Sequence, residues 1–256
     1  KTMILQLPYE PFPESNTSTR LYEHLKGYLN SKNLQWSYGA MRNRLADVWI
    51  QNIHSLRLED MVEELSYLGF GGIYIDRNSY PDRAAEIERK LTTLLGVSPI
   101  VSDNAQLSFY DVRNFSSQLK SRIGEREYKH RANRSRHPIL IARGFGFSPM
   151  GHPLDNIWNW YLGEGHVAIY NLASTTRTIE LNIIPASLKA TPCIKVKKNP
   201  TAPVEIPFKD GKYSLGKYII PAGKSEIKIR RCDKLDYIPL DSSPGLAFKV
   251  KEIGNF

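Results

Sequence analysis

The stretch LSYLGFGGIYIDRNSYPD, residues 65–82, decides how the first half of this chain folds. An amphipathic run over residues 56–68 stops at Gly69, and the β-prone run 73–75 follows, so we expect a helix that leads directly into a buried strand. In open α/β sheets and barrels, ligands bind beyond the carboxyl ends of the strands. The first candidate site residues are therefore those that follow this strand: Asp76, Arg77, Asn78 and Tyr80.

The residues on either side of this stretch predict more α/β structure. Residues 3–7 read as an apolar strand that Pro8 ends, and residues 34–38 as a second strand that stops at Gly39. Helical patterns cover residues 20–30, 41–50 and 81–95, and short strands follow at 98–101 and 107–112. This succession is typical of a layered α/β domain, which we place at residues 1–115.

Residues 116–137 are strongly basic and predict a helix and linker. They carry seven lysines and arginines against two glutamates. A solvated helix face explains such a run, and so does an anion-binding or membrane-facing patch.

The pattern changes in residues 138–256 to short alternating runs separated by turn residues. Such runs predict an antiparallel β-sandwich of jelly-roll type. Both cysteines of the chain, Cys193 and Cys232, lie in this part. They form either a disulfide in an oxidising compartment or two buried free thiols.

Composition and charge limit the classes of partner that the chain is expected to bind. The net charge of +9 favours an acidic partner, such as nucleic acid, an anionic membrane surface or a phosphorylated glycan. The basic residues are spread along the chain without a helix-turn-helix, zinc-finger or RNA-binding motif, so we expect no nucleic-acid partner. Neither a metal-ligand spacing nor a phosphate-cradling loop occurs, so we expect no metal and no cofactor.

The sequence contains no apolar run of membrane-spanning length. It begins without methionine and enters a strand almost at once, so we expect a segment of a longer protein.

Carboxyl groups near the predicted strand ends suggest acid–base chemistry. Asp76 and Arg77 would act as a catalytic carboxylate and its orienting base or as a sugar-binding pair, and a loop cap with a rim ion pair explains them equally well. Glycoside hydrolysis needs two carboxyl groups flanking the scissile bond. Glu10 or Glu14 in the first loop would supply the partner of Asp76.

Aromatic residues also gather near the predicted strand ends. Aromatic faces stack on sugar rings, and several of these residues must instead belong to the core. The group comprises Tyr9, Phe12, Trp36, Tyr38, Tyr74 and Tyr80.

Several segments together resemble one known family: LQLPYEPFPES (5–15), LQWSYGAMRNR (34–44), LGFGGIYIDRNSYPD (68–82) and LSFYDVRN (107–114), followed by a β-rich tail with W-x-W and VAIYN. They are similar to the extracytoplasmic C-terminal region of bacterial polytopic membrane proteins that are described as sugar or phosphoglycerol transferases of the cell envelope. The resemblance implies an absent N-terminal membrane portion, lipid-linked sugar chemistry, and tethering to the inner membrane on its periplasmic side.

The expected function is that of a soluble extracytoplasmic domain that binds or positions a glycan, a phosphorylated acceptor or a lipid-linked sugar. Its other expected partners are its own N-terminal membrane portion and an anionic membrane surface. Two alternatives stay open: a glycoside hydrolase- or transferase-like enzyme that uses Asp76 with Glu10 or Glu14, and a non-catalytic structural module that docks on the membrane portion. The residues expected to line the groove are Tyr9, Glu10, Trp36, Tyr38, Arg42, Asp76, Arg77 and Tyr80.

Overall fold

The structure, a computed structural model, describes residues 1–14, 21–149, 157–186, 193–196, 204–232 and 245–253. The chain divides into two compact units, Lys1–Arg136 and His137–Phe256. Helices and a mixed sheet form the first unit, and antiparallel sheets form the second. The predicted α/β region followed by antiparallel β-structure is confirmed at this level.

The first unit contains a five-stranded sheet, formed by β1 (Thr2–Leu7), β2 (Leu34–Trp36), β3 (Phe70–Asp76), β4 (Ile100–Val101) and β5 (Leu107–Asp111). The strand order is β2-β1-β3-β5-β4. Strand β1 is parallel to β2 and to β3, whereas β5 is antiparallel to β3. Because β1, β2 and β3 are parallel neighbours, their last residues reach the same side of the sheet, which we call the carboxyl edge.

The described residues of the first unit also form six α-helices: α1 (Leu25–Leu29), α2 (Leu45–His54), α3 (Leu58–Leu68), α4 (Ala85–Leu95), α5 (Arg113–Ile123) and α6 (Glu125–Arg136). Helix α3 ends at Gly69, whose left-handed φ of 84° turns the chain into β3 as the sequence predicts. Leu65 of α3 and Leu91 of α4 are buried with Ile73 and Ile75 of β3 in one core. Within the described part of the chain, no helix is both long and apolar enough to cross a membrane.

Helices α5 and α6 contain the strongly basic segment, and they belong to the first unit. Leu119 of α5 and Ala132 of α6 form a small core with Tyr67 of α3. The hydroxyl of Tyr128 also donates to the backbone oxygen of Ser66 at 2.6 Å. The segment expected to be a helix and linker is therefore a pair of helices packed on α3.

The second unit contains eleven described strands in two antiparallel sheets, with strand orders β13-β14-β10-β16-β8-β7 and β12-β11-β15-β9-β6. One core receives buried side chains from both sheets, including Trp158, Trp160, Ile169 and Ile229. This arrangement is sandwich-like. The strands are β6 (Ile139–Arg143), β7 (Phe147–Pro149), β8 (Ile157–Trp160), β9 (Glu164–Asn171), β10 (Arg177–Pro185), β11 (Ile194–Val196), β12 (Val204–Ile206), β13 (Phe208–Lys209), β14 (Lys212–Ile220), β15 (Gly223–Arg231) and β16 (Gly245–Ile253).

The two cysteines of the second unit form a disulfide. Cys193 directly precedes β11 and Cys232 directly follows β15, and these strands are antiparallel neighbours. Their Cα atoms lie 5.2 Å apart, and the backbone N–H of Cys232 donates to the oxygen of Cys193 at 3.2 Å. Of the two alternatives that the sequence left open, the structure therefore contains the disulfide.

Candidate functional site

A small polar cavity lies at the carboxyl edge of the first unit. Its volume is about 10 Å³, which is the space that one water molecule needs. Residues after β1, residues after β2 and one face of α2 contribute to its walls. We call it the polar cavity; its lining residues are Gln6, Pro8, Tyr9, Glu10, His24, Ser37, Tyr38, Gly39, Ala40, Asp47, Ile50 and His54.

Gln6 fixes the strand ends that form the polar cavity. Its buried side-chain amide donates to the backbone oxygen of His24 at 2.8 Å, and its side-chain oxygen accepts from the N–H of Tyr38 at 3.1 Å. Its own backbone N–H donates to the hydroxyl of Ser37 at 2.9 Å. One residue of β1 thus ties the end of β2 and the start of α1 to its own strand.

Asp47 anchors the opposite wall from helix α2. One carboxylate oxygen accepts from the Tyr9 hydroxyl at 2.5 Å, and the other accepts from the Asn43 backbone and the Gln51 amide, both at 2.8 Å. The carboxylate is only 1% exposed. Because three donors already engage it, Asp47 holds Tyr9 in place as part of the cavity wall.

Two buried histidines, His24 and His54, line the polar cavity. The Nε2 atom of His24 lies 2.9 Å from the backbone oxygen of Pro8, whereas its Nδ1 atom has no partner among the described residues. Both ring nitrogens of His54 are buried and equally lack a partner there. Burial lowers the pKa of His24 and lowers that of His54 to about 3, so both rings are neutral near pH 7.

Glu10 is the half-buried carboxyl group of the polar cavity. Its pKa rises from an ordinary 4.5 to about 7, mainly because burial disfavours the charged form and also because Glu14 and Asp76 lie nearby. Glu14 itself accepts from the Tyr38 hydroxyl at 2.6 Å and from the Tyr22 backbone at 2.8 Å. Burial and the Glu14 carboxylate raise the pKa of Tyr38, which keeps its hydroxyl protonated.

Asp76 is close enough to influence Glu10 but does not line the polar cavity. It is 2% exposed, and its oxygens accept from the backbone of Asn78 at 3.0 Å and from the Ser79 hydroxyl at 3.1 Å. It therefore caps the 3-10 turn over residues 77–79. This is the loop-cap role that the sequence offered as the alternative to catalysis.

Three other candidates lie outside the polar cavity. Arg77 donates to both oxygens of Glu88 on α4, at 2.6 and 2.7 Å, and forms a largely buried ion pair. Tyr80 packs on the core of the first unit, where burial raises its pKa. Arg42 is exposed and donates to the backbone oxygen of Pro13 at 2.9 Å.

A larger apolar trough of about 560 Å³ lies next to the polar cavity in the same unit. The two spaces share four wall residues, Ser37, Tyr38, Ala40 and Ile50. Trp36 and Trp49 line the trough, and Arg136 at the end of α6 contributes to its wall. We call it the aromatic trough.

Trp36 is held rigidly where it lines this trough. Its indole N–H donates to the Ser31 hydroxyl at 2.7 Å, and its ring meets Tyr74 edge-on at 5.4 Å between centroids. A Cβ added to Gly27 would lie 3.0 Å from the indole, so α1 approaches the ring closely at that glycine. Trp36 is thus both a packing residue and a trough residue.

The structure therefore gathers some of the predicted site residues and separates others. Tyr9, Glu10 and Tyr38 line the polar cavity, and Trp36 and Tyr38 line the adjoining aromatic trough. The sequence reasoning missed His24, Asp47 and His54. Asp47 and His54 share one face of α2 with buried Ile50, and polar residues at such spacing on an inward face are the signal that would have revealed them.

The comparisons with known proteins identify no family. No family model and no curated protein matches this chain. Among solved structures, a GH26-CBM35 β-(1,4)-mannanase of Podospora anserina aligns at 16% identity over 47% of this chain and 26% of that one, with a TM-score of 0.27. The secreted serine protease VesC of Vibrio cholerae aligns at 13% identity over 46% of this chain and 25% of that one, with a TM-score of 0.25. The chain spans about a quarter of either protein, and TM-scores this low carry no argument about fold or activity.

Proposed function

We propose that this chain is an extracytoplasmic domain of a bacterial envelope sugar or phosphoglycerol transferase and that its first unit binds a glycan at the carboxyl edge. The observation that carries the proposal is the contact between the polar cavity and the aromatic trough through the shared wall around Tyr38. Sugar-binding sites combine aromatic faces with a few fixed polar groups, and the aromatic trough and the polar cavity together supply both.

The disulfide between Cys193 and Cys232 supports the proposed location. Structural disulfides persist in oxidising compartments such as the periplasm and are rare in the cytosol. For the second unit we propose a jelly-roll-like sandwich of the kind that accessory carbohydrate-binding modules use. Its two antiparallel sheets around one shared core support that proposal.

The remaining proposed partners are the N-terminal membrane portion and an anionic membrane surface. Residues 113–136 carry eight lysines and arginines against two glutamates, and most of these side chains are exposed on α5 and α6. Such a surface is attracted to anionic lipid headgroups.

A glycan panel tests the proposed function. We expect binding of oligosaccharides to the purified chain, and we expect Tyr38→Ala to weaken it at least about tenfold because the variant removes the wall shared by the polar cavity and the aromatic trough. Tyr28→Ala is the matched control, since Tyr28 is a 65% exposed tyrosine of α1 outside both spaces. If no glycan binds, or if both variants weaken binding equally, the proposal is wrong, and the docking-module alternative takes its place.

One observation favours an enzyme as the second candidate. A carboxyl group with a pKa near 7, like that of Glu10, suits general acid catalysis at neutral pH. Against it, Asp76 is buried and engaged in its turn, and Glu14 is engaged by Tyr38 and Tyr22. Hydrolysis or transfer measured on any glycan that binds, and abolished in Glu10→Gln, would establish this candidate.

A further inference from the structure

The polar cavity has an acidic character that contrasts with the net charge of the chain. Glu10 and Asp47 line it, and Glu14 and Asp76 lie near Glu10. Among the described residues that line it, none is a lysine or an arginine. The neighbouring arginine Arg77 pairs with Glu88 and does not offset these carboxylates.

His24 gives the polar cavity a defined hydrogen-bond acceptor. Because the Pro8 carbonyl can only accept, the Nε2 atom of His24 must carry the proton in their 2.9 Å contact. The neutral ring then leaves a lone pair on Nδ1, and that atom has no partner in the described part of the chain although His24 is only 3% exposed. Buried polar atoms are nearly always paired, so this lone pair calls for a donor.

His54 adds a second unpartnered imidazole to the same wall. It is 7% exposed, and in its neutral form one nitrogen accepts while the other donates. The polar cavity thus presents acceptors to a ligand mainly through His24, His54 and Glu10. A group that enters must donate hydrogen bonds and must be no larger than about one water molecule.

We infer that the polar cavity receives the ammonium group of an unphosphorylated amino sugar. An ammonium has three N–H donors, a positive charge that the carboxylates attract, and a size close to that of water. A phosphate group is larger, only accepts hydrogen bonds in its dianionic form, and is repelled by the same carboxylates. This inference rests on the proposed glycan-binding function. Of the ligands that the sequence predicts, it selects an unphosphorylated glycan over a phosphorylated acceptor.

A matched series of ligands tests the inference on the full chain. Glucose, 6-amino-6-deoxyglucose and glucose 6-phosphate differ at one position only, and their binding is measured by titration at neutral pH. We expect the amino sugar to bind about tenfold more tightly than glucose, as a charged hydrogen bond does relative to a neutral one. We expect no binding of the phosphate, and we expect the amino sugar to shift the ring-nitrogen NMR signals of His24.

Variants connect the preference to the polar cavity. Glu10→Gln retains the size of the side chain and should reduce the preference for the amino sugar over glucose, whereas Glu86→Gln, at an exposed glutamate of α4 paired with Lys90, should leave it unchanged. Equal binding of glucose and the amino sugar, or tighter binding of the phosphate, overturns the inference but leaves the glycan-binding function intact. Failure of all three sugars and of the glycan panel overturns both.

Discussion

Replacing Glu10 by glutamine should change how the stability of the first unit depends on pH. The pKa of Glu10 is about 7 in the folded chain against 4.5 ordinarily, so between these values the folded chain retains a proton that the unfolded chain has released. The stability that the raised pKa of Glu10 contributes is therefore fully present below pH 4.5 and is lost as the pH rises to about 7. Glutamine does not titrate and should remove this loss.

The size of the effect follows from the same pKa values. Each pH unit between 4.5 and 7 changes the free energy of unfolding by at most about 1.4 kcal/mol, which sets a ceiling of roughly 3 kcal/mol. Glu10 is only half-buried, and solvent screens part of its interaction with Glu14 and Asp76. We therefore expect about 1–2 kcal/mol.

Urea unfolding followed by the helical circular dichroism signal measures this contribution. All helices in the described residues lie in the first unit, so the signal reports on that unit. As the pH rises from 4.5 to 7, the free energy of unfolding of Glu10→Gln should increase by about 1–2 kcal/mol relative to that of the unmodified chain. Glu86→Gln serves as the control, because the pKa of Glu86 is lowered by its contact with Lys90. Parallel pH profiles for the Glu10 variant and the unmodified chain would refute the reasoning.

Two further predictions concern stability, one for each unit. A Cβ at Gly72 would lie 2.2 Å from the ring of Phe109 and 2.9 Å from a backbone oxygen, whereas a Cβ at Gly71 would meet the methyl group of Thr2, an exposed residue that can rotate away, at 2.2 Å and the Met3 backbone oxygen only at 3.9 Å. Gly72→Ala should therefore cost about 3 kcal/mol in urea unfolding and Gly71→Ala under about 1 kcal/mol, and equal costs would contradict this packing. The disulfide closes a loop with a sequence separation of 39, so reduction should cost the second unit about 3–4 kcal/mol. Thermal scans should show a lower midpoint on adding reductant, but no further shift in a Cys193→Ser, Cys232→Ser double variant.

The position of the candidate site could be predicted from the sequence because parallel strands end on the same side of a sheet. Once residues 3–7, 34–38 and 73–75 are identified as strands of one sheet, the residues after them must meet at one edge if the strands are parallel. Tyr9, Glu10 and Tyr38 do line one cavity there. Strand periodicity alone was sufficient for this part of the prediction, because these three residues follow β1 and β2.

The sequence did not predict which way each side chain beyond a strand end points. Asp76 caps the turn formed by the residues that directly follow it. Arg77 reaches Glu88, which lies eleven positions further along the chain. One signal was available: Glu88 lies between buried Ala84 and Leu91 on the inward stripe of α4, and a carboxylate there requires a buried partner. The identity of that partner depends on tertiary packing, which local patterns do not encode.

Net charge illustrates why a property of the whole chain does not determine the chemistry of one site. The value of +9 favoured an anionic partner, yet eight of the basic residues lie on α5 and α6, whereas the polar cavity has only acidic and neutral walls. At an ionic strength of 0.15 M, exposed charges act over about 8 Å, so each ligand responds mainly to the groups near it. An anionic membrane and a cationic sugar are therefore compatible partners of one unit: α5 and α6 would attract the former, and the carboxylates around Glu10 the latter.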